Sequence, residues 1–135
     1  MPAAYDCFSE RERCFNGTAA EALTANRFGN FDGTTAVQAL KISLADTGEK
    51  MCGIIANDAS SGAAASLVYS GEGYLICDGT TDIAAGDPLK ADANGAGVKA
   101  ASAGDWYGAI AMEPYTTNSE GLVRVWIVSP NTIPA

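Results

Sequence analysis

The sequence predicts an all-β fold: a small antiparallel β-barrel or sandwich with an extended N-terminal arm. Three observations carry this. From residue 36 onward, short runs of alternating or β-forming residues recur along the chain. Gly, Asn, Asp and Pro stand at their junctions, where turns are needed. Gly53, Gly73 and Gly108 fall inside strand patterns, where they read as bulges or tight bends. A barrel also removes the open sheet edges that invite aggregation.

The division falls near residue 35, giving an arm over residues 1–35 and a β-barrel domain over residues 36–135. The arm carries Tyr5, Phe8, Phe15, Phe28 and Phe31 without strand-like alternation. Ser9 with Glu12, and Thr18 with Glu21, fit the capping-box pattern, so one or two short helical turns are expected there. An aromatic segment of this kind has to cover a surface, either its own barrel or a neighbouring molecule.

The strands follow in order. In AVQALKISLA, Leu40, Ile42 and Leu44 alternate with Lys41 and Ser43. MCGIIAN, ASLVYS and GYLICD are three further runs. PLKAD and GVKAA flank Asn94-Gly95, a hairpin signal of the type I′ kind. WYGAIAM and GLVRVWIVS complete the series. In the last, Val123, Val125 and Ile127 share one face, and Arg124, Trp126 and Val128 the other. An outward Trp126 implies that the second face is covered too. SPNTIPA, with two prolines, reads as an extended tail.

Composition restricts the function. The 135 residues suit a single domain with a modest core. A net charge of −8 argues against nucleic acid and against anionic membranes, since both need clustered Lys and Arg. There is no histidine, which removes the commonest general base and the commonest zinc ligand. Cys7, Cys14, Cys52 and Cys77 form no C-x-x-C pair. MPAAYDCFSERERC lacks an apolar signal region, so the thiols are expected to start free in a reducing cytosol.

No constellation of residues points to catalysis, and no cofactor or metal is expected. Asp46-Thr47-Gly48 matches the core of a retropepsin-like aspartic protease motif, but Glu49 and Lys50 follow where a small residue belongs. Turn chemistry explains it better. Asp78, Asp82 and Asp87 lack EF-hand spacing and read as solvated loop carboxylates. Trp106, Tyr107 and Trp126 could line a carbohydrate site, although core or subunit interface is the commoner use of such residues.

The ordered series CGIIANDASSG, ASLVYSGEGYLIC, IAAGDPLKADANGAG, WYGAIAM and EGLVRVWIV resembles the capsid cement, or head decoration, proteins of tailed bacteriophages. The resemblance implies a virion protein without enzymatic activity, made in the host cytoplasm and placed on the outer capsid surface. It implies the major capsid protein as partner and a homo-oligomer, with a trimer favoured. The family brings no ligating or catalytic residues. On the residues themselves, Tyr5, Phe8, Arg11, Arg13, Phe15 and Trp126 are the candidate capsid or subunit interface, aromatic and Arg side chains being the usual anchors. Removing residues 1–17 is then expected to abolish capsid binding and leave the barrel folded. The alternative is a receptor- or carbohydrate-binding β-barrel of a tail or surface assembly.

Overall fold

The structure is a computed structural model and describes residues 13–32 and 40–134. Among these residues there are nine strands and no helix: β1 (Arg13–Ala19), β2 (Phe28–Phe31), β3 (Lys41–Leu44), β4 (Gly53–Ile55), β5 (Ala64–Cys77), β6 (Pro88–Ala91), β7 (Gly97–Lys99), β8 (Trp106–Ala111) and β9 (Gly121–Thr132). The sheet order is β1-β3-β2-β4-β5-β7-β6-β8-β9, with β1 also paired to β5 and β5 to β9. The two extra pairings close two five-strand circuits that share β5. The first half of β5 faces β1 and β4, and the second half faces β9 and β7.

The two circuits have the same wiring. Strands β1 and β3 are parallel, as are β5 and β7, while the remaining pairings are antiparallel. The match extends to single hydrogen bonds. Leu23 and Ala59 exchange both backbone bonds, and so do Ile83 and Tyr115. The Asn26 N–H donates to the Ile55 carbonyl, and the Gly86 N–H donates to the Ala111 carbonyl. A side chain caps the last strand in each: Asn57 Oδ1 accepts from the Ser66 N–H, and Glu113 Oε2 from the Arg124 N–H. The chain is one five-strand barrel written twice, with its middle strand in common.

Strand alternation sorts the core accordingly. Ala19, Leu23, Ile42, Ile55, Ala65 and Leu67 fill the first barrel. Leu75, Cys77, Leu89, Ala111, Val123, Val125 and Ile127 fill the second. A further set from the first barrel, Phe28, Met51, Ile54 and Val68, points outward and joins the second barrel's core. The barrels therefore meet with the outer face of the first against the second. Gly108 marks the contact: a Cβ there would lie 2.5 Å from Met51 Cγ, so only glycine allows this approach. Across the same junction the Phe28 N–H donates to the Gly95 carbonyl, and Arg27 pairs with Glu120 at 3.2 Å.

Several expectations need correction. The boundary at residue 35 does not exist in the sheet, because β1 and β2 both lie before it. Phe28 is a core residue, fully buried. The helical turn at Thr18 is absent: Thr18 lies in β1, and Glu21 caps a strand instead, accepting from the Leu44 N–H at 3.0 Å. The Ser9–Glu12 pattern lies outside the described residues. ASLVYS and GYLICD are a single 14-residue strand. At Asn94-Gly95 only Gly95 has positive φ, so the turn is not type I′. The Gly95 N–H bonds back to the Asp92 carbonyl, while Asp92 Oδ1 accepts from Asn94 and Ala96. That is a longer hairpin loop with glycine in the left-handed position. Strand β9 continues through Pro130 to Thr132. The missing donor of Pro130 falls in the stretch where the β8–β9 register shifts.

Candidate functional site

Two exposed apolar surfaces stand out. The first is an aromatic cluster at the end of the first barrel where β1 begins and β2 ends. Phe15 stacks on Tyr69 with ring centroids 4.5 Å apart, and Phe31 meets Phe15 edge-on at 5.2 Å. Stacked and edge-on pairs of this kind add to simple burial. Phe15 and Phe31 are nonetheless 37% and 39% exposed. Arg13, two residues before Phe15, is exposed and sits opposite Ser70 at a register shift.

The second surface is the outer face of the second barrel. Trp126 stands between Glu72 on β5 and Ile110 on β8. Trp126 and Leu122 are 57% and 53% exposed, and Tyr74 and Met112 are exposed beside them. Arg124 lies between the two apolar groups of β9 and pairs with Glu72 at 3.7 Å. Tyr74 and Arg124 are directly opposite each other.

Of the predicted interface residues, Arg13 and Phe15 lie at the first surface and Trp126 at the second. Tyr5, Phe8 and Arg11 lie outside the described residues. Sequence reasoning missed Tyr69, Phe31, Tyr74, Leu122 and Met112. The alternation LVRVW puts Leu122 on the same face as Trp126, which was the available signal.

The titratable groups serve local structure. Asp46 Oδ1 accepts from the Thr47 N–H at 2.7 Å, and the Asp46 N–H donates to Glu49 Oε1. Asp-Thr-Gly is thus a turn between β3 and β4. Asp78 caps Thr80, and Asp87 accepts from Ala84 and pairs with Lys99 at 3.5 Å. Asp105 accepts from the Ser102 N–H, from Lys90 Nζ and from the Ala101 N–H, which hold its carboxyl below the usual value. Burial pushes the Cys77 thiol up to about 12. Trp106 is half-buried, with Lys50 Nζ 5.2 Å from its ring centre. No group of three or more His, Cys, Asp or Glu able to hold a metal occurs among the described residues.

Linked small barrels with apolar outer surfaces and carboxylates committed to turns define a β-structural module. The phage cement protein family model matches residues 15–127. The chain belongs to that family, a family of structural phage proteins associated with the capsid. Among solved structures, the chain is similar to the head fiber gp8.5 N base of bacteriophage phi29. The TM-score is 0.68 at 18% identity, covering 91% of this chain and 98% of that one. At that identity the likeness is one of fold. A search of curated proteins finds no match.

Proposed function

We propose that this protein binds the outer surface of an expanded phage capsid and stabilises contacts between major capsid protein subunits, without catalysis. The family match carries the reading, and the exposed aromatic surfaces support it. A ligand that binds only the expanded shell adds its binding free energy to that state alone. Repetition over a symmetric lattice multiplies weak contacts into a strong clamp. A homo-oligomer, with a trimer favoured, suits the three-fold positions of such a lattice. Tyr5, Phe8, Arg11, Arg13, Phe15 and Trp126 form the proposed capsid or subunit interface.

The deletion that separates binding from folding changes with the structure. Residues 13–17 belong to β1, which closes the first barrel against β5. Removing residues 1–17 would open that barrel, so the informative truncation removes residues 1–12. Expanded heads heated with the full-length protein should keep their DNA to higher temperature than bare heads. Equal release temperatures at saturating protein would refute the clamp.

A further inference from the structure

The duplication carries information about assembly, because it shows one barrel already covering the outer face of its twin. Equivalent positions follow from the shared register. Phe28 pairs with Ile54 as Pro88 pairs with Ile110, and Ile54 pairs with Val68 as Ile110 pairs with Trp126. The Ala56 N–H donates to the Ser66 carbonyl as the Met112 N–H donates to the Arg124 carbonyl. Hence Phe28, Ile54, Ala56 and Val68 correspond to Pro88, Ile110, Met112 and Trp126. All eight are apolar. In the first barrel the four are fully buried under the second barrel. In the second barrel none is buried, and Trp126 and Met112 are exposed.

The covering surface has its twin too. Gly73, Ala91 and Ile127 lie at the end of the second barrel that meets the first, and all three are buried. Their equivalents in the first barrel are Phe15, Phe31 and Tyr69, the half-exposed aromatic cluster. The chain thus makes one barrel–barrel joint internally and leaves the equivalent two halves uncovered. Glu72 pairs with Arg124 beside Trp126, so the open face of the second barrel is chiefly apolar.

We infer that a second copy of this chain docks head to tail. The Phe15–Phe31–Tyr69 end of one molecule covers the Pro88–Ile110–Met112–Trp126 face of the next, repeating the internal joint. Such a contact is heterologous, so it closes into a ring or propagates. The inference concerns the free protein and takes Phe15 and Trp126 as subunit contacts, so it is tested without capsids.

Full-length Trp126→Glu and Phe15→Glu variants test it by sedimentation velocity, with circular dichroism confirming the fold of each. The wild type should sediment as an oligomer and each variant as a monomer. Mixed in equal amounts, the variants should form a dimer and nothing larger, since each keeps one intact face. A monomeric wild type, a variant that keeps the wild-type mass, or a mixture that stays monomeric would overturn the proposal. Phe15→Leu and Trp126→Phe, which retain apolar faces, should restore the oligomer. If they do not while folded, the apolar contact is wrong.

Discussion

At the scale of single residues, carboxylates stabilise the turns from which the strands hang. Asp105 is the clearest case, with Lys90 Nζ and the Ser102 N–H both 3.0 Å from its Oδ2. These partners favour the ionised form, so its folded-state pKa lies below the unfolded value near ~3.9. The resulting stabilisation is present above the unfolded pKa and is lost as pH falls through the folded one. Asp105→Asn should therefore cost about 1 kcal/mol at neutral pH. Urea unfolding should show the gap closing below about pH 4. A gap that persisted at pH 2 would mean that the charge of Asp105 is not what stabilises the turn.

At the scale of strands and barrels, equivalent positions carry different energies because only one of each pair is covered. Phe28 and Val68 lie in the joint, whereas their equivalents Pro88 and Trp126 face outward. Phe28→Ala should destabilise the isolated monomer by about 3–5 kcal/mol, as expected for a large cavity in a core. Trp126→Ala in the same monomer should stay within about 0.5 kcal/mol. Denaturant melts of both, made on a Phe15→Glu background that blocks association, check the contrast directly. Similar losses at the two sites would contradict the equivalence.

The same scale shows what the sequence made legible. Period-two alternation and turn residues were enough for the fold class and for most strands after residue 36, because burial on one face writes that pattern. The first barrel's β1 escaped because its inward residues, Phe15, Gly17 and Ala19, differ so much in size that no alternation shows. Gly71-Glu72 separated the ASLVYS and GYLICD runs, although β5 runs straight through it while changing partners. The duplication left only a faint trace, CGIIAND against YGAIAME. Even that trace misleads by one position, since the register makes Gly53 equivalent to Ala109 rather than Gly108. Of the candidate site, Arg13, Phe15 and Trp126 were visible. Their neighbours come from distant strands, and only the sheet register brings them together.

At the scale of the whole molecule, the chain is a stiff block with two exposed apolar surfaces. One core spans both barrels, so the block resists bending at the joint that would otherwise be its weak point. A rigid, acidic block fits the proposed attachment to a symmetric lattice, where each copy adds one contact. The most direct test is co-sedimentation of the purified protein with expanded, undecorated phage heads, alongside unexpanded shells. Saturable binding to the expanded heads alone is the predicted result. Equal binding to both shells, or to neither, would contradict the account.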